Sequence, residues 1–164
     1  MAPICLILHN LRSAQNVGAI FRIADAVGIR EIYLTGYTPA PVDRFGRPNR
    51  AILKTALGAE KFVEWEAHKN ISVLISKLQA NEAKKPMKLI ALEQSSKSIN
   101  YKKVKIKGLT AIIVGNEVRG LNLAILKKCD TVAEIPMRGR KESLNVAVAC
   151  GIFLFQIVGG KDYF

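Results

Sequence analysis

Residues 4–34 leave this chain few ways to fold. Ile4 to Leu8 is an apolar run of strand length. After His9-Asn10-Leu11-Arg12-Ser13 come Asn16-Val17-Gly18. Ile20, Ile23, Ala24 and Val27 then fall at i, i+3, i+4 and i+7, the spacing of one helical face. Gly28 stands where a helix C-cap is expected, and Glu31 to Leu34 is a second short strand. Strand, helix and strand in that order suggest a parallel pair, because parallel neighbours need a long crossover. A parallel sheet must then be covered by apolar residues on both faces.

The alternation continues down the chain. Strand-length runs return at Phe62 to Trp65, Lys88 to Leu92, Thr110 to Val114 and Thr131 to Ile135. Ile71, Leu74, Ile75 and Leu78 repeat the helical spacing, and helices are expected over Ala51 to Leu57 and Leu121 to Lys128. The expected fold class is α/β, a mostly parallel sheet with helices on both faces. No repeat, low-complexity tract or linker divides the chain, so residues 1–164 read as one domain.

Lys and Arg number 25 against 13 Asp and Glu, a formal net charge of +12. An excess that large on a small domain points to a polyanionic partner, nucleic acid before an anionic membrane. Two segments concentrate the charge. Gly36 to Arg50 is a loop by its prolines and glycines, and it carries Arg44, Arg47 and Arg50 at intervals of three. These arginines are candidate phosphate contacts, with a merely solvated loop as the alternative. Lys84 to Lys107 holds eight lysines, densest over Tyr101 to Lys107. That stretch reads equally as a lysine-protected edge strand or as part of an RNA track.

Cys5, Cys129 and Cys150 are odd in number and far apart in apolar runs, so they read as buried thiols of a reducing compartment. The N-terminal apolar run is too short for a signal peptide. Leu144 to Val158 is shorter than the roughly 18 apolar residues of a membrane span. A cytoplasmic location is expected, with no membrane partner.

Near the C-terminus, Thr131 to Ile135 stops at Pro136, and a basic turn around Gly139 leads to Ser143-Leu144-Asn145 at the mouth of an apolar helix. Ser143 is the candidate N-cap of that helix. Three strand ends therefore deserve a ligand: Leu92-Glu93, Gly115-Asn116-Glu117 and Ile135-Pro136-Met137, since open parallel sheets bind ligands at the carboxyl ends of their strands. Gly115 lacks a side chain where a ligand can come close to the backbone. The familiar catalytic patterns are missing: GxGxxG, a Walker A loop, HExxH and GxSxG. His9 and His68 have no ligand-like spacing, so no metal site is expected, and His9 reads as a hydrogen-bonded core residue. Residue chemistry alone reaches a basic α/β protein with a strand-end ligand site.

Three segments together resemble the SpoU/TrmH branch of the SPOUT superfamily. The first runs from Asn10 to Gly28, with Asn16, Gly18, Arg22, Asp25 and Gly28 in place; the second runs from Ile112 to Leu121 through Gly115-Asn116-Glu117. The third runs from Ile135-Pro136-Met137 through Ser143-Leu144-Asn145-Val146 into the last helix. The resemblance implies a C-terminal trefoil knot, a homodimer, and S-adenosylmethionine-dependent methylation of an RNA ribose 2′-hydroxyl. It implies that Leu92, Glu93, Gly115, Asn116, Ile135, Met137, Ser143 and Leu144 hold the cofactor. Arg22, Asn16, Glu117, Ser143 and Asn145 are the implied catalytic set, and in similar proteins the arginine faces the cofactor of the other subunit. A guanidinium stays protonated, so Arg22 is expected to grip the phosphate and the nascent alkoxide instead of acting as a base. With the first strand at Ile4, no separate N-terminal RNA-binding domain is expected. tRNA is the first-choice substrate and ribosomal RNA the second. The alternatives are a dimeric RNA-binding protein that has lost catalysis and a base methyltransferase of another branch.

Overall fold

The computed structural model of the protein describes residues 4–80 and 86–159. Seven strands form one sheet: β1 (Ile4–His9), β2 (Glu31–Thr35), β3 (Glu64–His68), β4 (Lys88–Leu92), β5 (Ile99–Asn100), β6 (Thr110–Val114) and β7 (Thr131–Glu134). Their order is β3-β2-β1-β6-β4-β7-β5, and every neighbouring pair is parallel. The helices are α1 (Ala14–Val27), α2 (Arg50–Ala56), α3 (Ile71–Gln79), α4 (Leu123–Leu126) and α5 (Val146–Val158).

The period-2 alternation of the strands sorts the core into two layers. Leu6, Leu8, Ile112 and Val114 pack with Val17, Ile20 and Phe21 of α1, Ile52 of α2 and Phe153 of α5. On the opposite face Cys5, Ile7, Ala111 and Ile113 pack with Ile71, Leu74 and Ile75 of α3 and Ile125 of α4. β6 lies at the centre and is buried along its whole length. Its β-branched residues suit that place, and each fully buried large side chain contributes about 1.5–3 kcal/mol.

The expected end of α1 holds, where Gly28 closes the helix with φ of 78°; its start is set by Ser13, whose Oγ accepts from Asn16 N at 3.2 Å. Other boundaries shift for local reasons. The strand expected over Phe62 to Trp65 starts at Glu64, because a 3₁₀ turn over Ala59–Lys61 precedes it. The helix expected over Leu121 to Lys128 shrinks to four residues, capped by Asn122. Tyr101 to Lys107 is not an edge strand. Asn100 Oδ1 accepts from Lys102 N at 3.0 Å and turns the chain into a 3₁₀ turn, leaving Ile99–Asn100 as the edge. Tyr101, Val104 and Ile106 pack against the core while Lys102, Lys103, Lys105 and Lys107 are exposed. Lys84 and Lys85 lie outside the described residues.

One crossing follows from register alone. Leu92 at the end of β4 and Ile99 at the start of β5 both pair with Ala133 of β7, from opposite sides. The segment 93–98 therefore passes across β7, and Glu93 N donates to Ala133 O at 2.9 Å. Among the described residues no helix is long and apolar enough to cross a membrane.

α1 and α2 approach most closely at Gly18, where an added Cβ would meet the Ile52 carbonyl and the Thr55 hydroxyl. Gly18→Ala is expected to cost about 1–3 kcal/mol through overpacking. Urea unfolding checks this: the midpoint should fall with the slope unchanged. An unchanged midpoint would mean that the two helices part freely.

Candidate active site

A cleft of about 330 Å³ opens at the carboxyl ends of β4, β6 and β7. Leu92, Glu93, Gly115, Asn116, Ile135, Met137, Ser143 and Leu144 all line it, and so does Glu117. Sequence reasoning missed Gln94, Val118, Arg119, Gly120, Glu134 and Glu142, which flank the named residues and reach the cleft by turn geometry.

The turn after β6 builds one wall. Asn116 Oδ1 accepts from Val118 N and Arg119 N at 3.0 and 2.8 Å, and Gly120 N donates to Asn116 O at 2.9 Å. The space beside Gly115 is filled by Gly120 and Leu121, so its missing side chain serves closure of the turn and not ligand approach. Glu93 ties the neighbouring wall to this turn: one oxygen accepts from Leu121 N at 2.8 Å and the other from Gln94 N at 2.9 Å. Gly120 has φ of 63°, and a Cβ there would collide with that carboxylate. Opposite, Gln94 Nε2 donates to Glu142 O at 2.7 Å and holds the basic turn against the cleft.

Glu117 joins the cleft to the first helix. It accepts from Arg12 N at 2.9 Å, Ser13 N at 3.0 Å and Asn16 Nδ2 at 3.1 Å. Asn16 Oδ1 in turn accepts from Asn145 Nδ2 at 3.0 Å. The helix at the mouth starts at Val146, and Asn145 caps it through Oδ1, accepting from Ala147 N and Val148 N at 2.9 and 3.3 Å. Ser143 is therefore not the cap. A carboxamide has separate acceptor and donor atoms, so Asn145 caps with one and reaches Asn16 with the other. Ser143 is left exposed on the cleft rim. Asn16 is not a cap either, since Ser13 holds that position.

Burial alone would raise the Glu117 pKa. The N–H groups of Arg12 and Ser13 and the Asn16 amide outweigh burial and hold it below the ordinary 4.5. Its charge also lies at the positive end of α1. His9 is a network residue: Nδ1 lies 2.9 Å from Thr35 Oγ1 and Nε2 lies 3.1 Å from Asn10 Nδ2. An amide can only donate to that nitrogen, which puts the proton on Nδ1, and burial lowers the His9 pKa.

Arg22 is not brought to the cleft of its own chain. It is exposed on α1, six residues beyond Asn16 and about 9 Å further along the axis. Arg44, Arg47 and Arg50 are exposed on the loop before α2 and its first turn. Arg47 Nε pairs with Asp43 Oδ2 at 2.7 Å, and the Arg44 and Arg47 guanidinium carbons lie 4.7 and 5.1 Å from the centre of the exposed Phe45 ring. Phe45 carried no periodic signal that would have marked it.

Sheet order and cleft make this an α/β protein with its ligand site at the carboxyl ends of parallel strands. The chain belongs to the SpoU rRNA Methylase family, whose model matches residues 3–155. It is 33% identical over 152 residues to the 23S rRNA (guanosine-2′-O-)-methyltransferase RlmB of Coxiella burnetii, covering 93% of this chain and 56% of that protein. The RlmB of Ralstonia nicotianae is 32% identical over 156 residues, covering 95% and 58%. The chain thus spans little more than half the length of these curated relatives. Among solved structures it is similar to the A. aeolicus TrmH/SpoU tRNA modifying enzyme, with a TM-score of 0.79, 27% identity and coverage of 95% and 74%. It is also similar to the AdoMet-bound rRNA methyltransferase of Sinorhizobium meliloti, with a TM-score of 0.82, 27% identity and coverage of 95% and 57%.

The lowered Glu117 pKa makes a stability prediction. A carboxylate with a depressed folded-state pKa stabilises the fold above its unfolded pKa and loses that contribution as pH falls through the folded value. Glu117→Gln should therefore be less stable than the parent at neutral pH, with the difference shrinking below about pH 4.5. Denaturant unfolding of both proteins from pH 7 to pH 3 measures it. A gap independent of pH would mean that the loss is one of packing and not of charge.

Proposed function

We propose that the protein transfers a methyl group from S-adenosylmethionine to a ribose 2′-hydroxyl of RNA, with residues 1–164 acting as one catalytic unit. The observation that carries this reading is the cleft, in which the strand-end residues of β4, β6 and β7 converge on Glu117 and its bonds to Asn16. The cleft also fits the cofactor by charge. Glu93, Glu117, Glu134 and Glu142 line it in a chain of net charge +12, so a cationic sulfonium meets carboxylates while the exterior stays attractive to a polyanion.

When bound, the sulfonium supplies an activated methyl and a good leaving group. The chain's residues then have to position the hydroxyl in line and accept its proton. Glu117 is a poor base, with its oxygens committed to N–H donors and its pKa depressed; it orients Asn16 and the start of α1. Asn16 and Asn145, bonded to each other behind the cleft lining, hold Glu117 and the start of α5 in place, and Ser143 stands exposed on the rim. Arg22 grips the phosphate and the nascent alkoxide, and the proton leaves through that phosphate or a water.

Because Arg22 lies outside its own cleft, its role requires a second copy. α5 offers the surface for one: Val148 and Phe155, 51% and 56% exposed, and Ile152 repeat at i, i+7 and i+4 on a helix that is apolar all round. A homodimer on that stripe brings Arg22 of one subunit to the cleft of the other. The crossing of 93–98 over β7, with α5 returning to pack on α1, supports the trefoil threading implied by the resemblance. The three unpaired thiols fit a cytoplasmic, reducing setting; burial pushes Cys5 and Cys150 up to about 12 and Cys129 up to about 11. The relatives' names include both rRNA and tRNA, so the two RNAs compete as acceptors in the same assay.

Calorimetric titration with S-adenosylmethionine, followed by transfer of labelled methyl to tRNA and to rRNA, tests the proposal. One site per subunit and a 2′-O-methylated product are expected; a folded protein that binds no cofactor would be an RNA-binding protein only. Arg22→Ala should lose at least about hundredfold in turnover with cofactor binding retained. Mixing it with Glu117→Ala should restore activity, because one heterodimer cleft then has both groups intact. No rescue would overturn the assignment across subunits.

The arginine loop separates by charge state. Arg47 already shares its charge with Asp43, whereas Arg44 has no carboxylate partner among the described residues. Arg44→Ala should flatten the log–log salt dependence of RNA binding by about 0.7–0.9, and Arg47→Ala by less. Filter binding across salt concentrations measures both slopes. Equal slopes would show that Asp43 gives way when RNA binds.

A further inference from the structure

A second hollow, about 540 Å³, lies beside the cleft and shares a wall with it. It is lined by Arg12, Tyr37, Asn116, Val118 and Arg119, of which Asn116, Val118 and Arg119 also line the cleft. Tyr37 is 58% exposed, yet it is held at its backbone and at its hydroxyl. Its N–H donates to Asn10 Oδ1 at 3.3 Å, and its hydroxyl accepts from Asn116 Nδ2 at 3.0 Å. Asn116 Nδ2 also donates to Asn10 O at 2.9 Å.

The backbone is arranged to keep this network. Asn10 has φ of 56°, a conformation that asparagine tolerates better than most residues. Its carboxamide occupies the space where a side chain on Gly36 would be, and Gly36 itself has φ of 68°. An exposed aromatic ring gains little from solvent, so anchoring it by two amides serves presentation and not packing. Arg12 and Arg119 stand beside it, both exposed and neither paired with a carboxylate among the described residues.

A fixed aromatic face, two free guanidinium groups and a shared wall with the methyl-transfer cleft are the complement of one nucleotide. We infer that this hollow is the nucleotide subsite of the acceptor RNA, where an unpaired base stacks on Tyr37 and its phosphate sits between Arg12 and Arg119. The inference rests on the RNA reading above. Single-stranded bases are recognised in this way, by aromatic stacking with cationic contacts to the backbone. Asn116 then serves both sites: its oxygen shapes the cleft turn and its amide holds the stacking ring.

The experiment uses the full chain, a labelled mixed-sequence single-stranded oligoribonucleotide for affinity, and bulk tRNA and rRNA as methyl acceptors. Tyr37→Ala should weaken oligonucleotide binding by about 5- to 150-fold, the equivalent of about 1–3 kcal/mol per stacked base, with the salt slope unchanged. Tyr37→Phe keeps the stacking ring but loses its hydroxyl anchor, so it should retain most of the affinity and bind well above Tyr37→Ala. Arg12→Ala with Arg119→Ala should reduce the salt slope by about 0.7, the value for the one single-strand phosphate they share. Arg12 bonds Glu117 through its backbone, so this variant leaves that contact in place. S-adenosylmethionine affinity should be the parent's in both Tyr37 variants, whose side chain does not line the cleft, and the loss in Tyr37→Ala should fall on the KM for RNA. Folded Tyr37→Ala with parental RNA affinity and KM would overturn the subsite. So would Tyr37→Phe behaving like Tyr37→Ala, because the ring would then not be the binding element. A parent protein that binds cofactor but no RNA, and methylates none, would remove the RNA reading itself.

Discussion

The Glu117 carboxylate is the interaction on which the rest of the site depends. It sits at the end of β6, and its partners Arg12, Ser13 and Asn16 are about a hundred residues earlier in the chain. Through Asn16 it reaches Asn145, which starts α5. One side chain thus fixes the starts of the two helices that pack on each other over the same face of the sheet. Hydrogen bonds to a charged group contribute about 1.5–3 kcal/mol each, roughly twice a neutral bond. Placing the carboxylate at a helix N-terminus adds to this, because the orphan N–H groups there need an acceptor. Such a commitment leaves Glu117 little capacity for proton transfer. Its chemistry is spent on holding geometry.

That geometry separates two charge environments in a small molecule. The chain is strongly basic overall, yet the cleft wall is rich in carboxylates, and two of these, Glu93 and Glu117, are held by backbone donors. Glu134 and Glu142 line the same cleft without ion-pair partners among the described residues. A cation entering the cleft meets four carboxylates against one lining arginine, whereas a polyanion approaching the surface meets arginines and lysines. The two ligands of the proposed methyl transfer, a sulfonium and an RNA, have these opposite signs, and the charge distribution suits both.

Much of the fold was legible because the physical signals are local. Strand-length β-branched runs such as Thr110 to Val114, and the helical spacing of Ile20 to Val27, need only nearest neighbours in sequence to be recognised. Sheet order is different. Nothing in the periodicity of β6 says that it lies between β1 and β4, or that β7 enters between β4 and β5. The misread boundaries are equally instructive. Asn100 and Asn145 each redirect the chain through a single side-chain acceptor, and that competition between side chain and backbone is invisible to hydrophobic pattern. The strand-end rule brought the residues expected to hold a cofactor into one cleft, because carboxyl ends of parallel strands are forced to one edge. It missed Tyr37, whose importance comes from two asparagines distant in sequence.

Arg22 shows where a single chain stops being sufficient. Asn16 and Arg22 share a helix, yet the first is bonded into the cleft wall and the second is exposed beyond it. Six residues carry them about 9 Å apart along the axis and to different faces, and Arg22 does not line the cleft. Either Arg22 serves only solubility, or the cleft it serves belongs to another molecule. The uncovered apolar stripe on α5 favours the second, because a helix with no polar face is expensive to leave in water. The proposed dimer along that stripe answers both demands at once: it buries the apolar surface, and it gives a cation that must stay charged a site where charge develops.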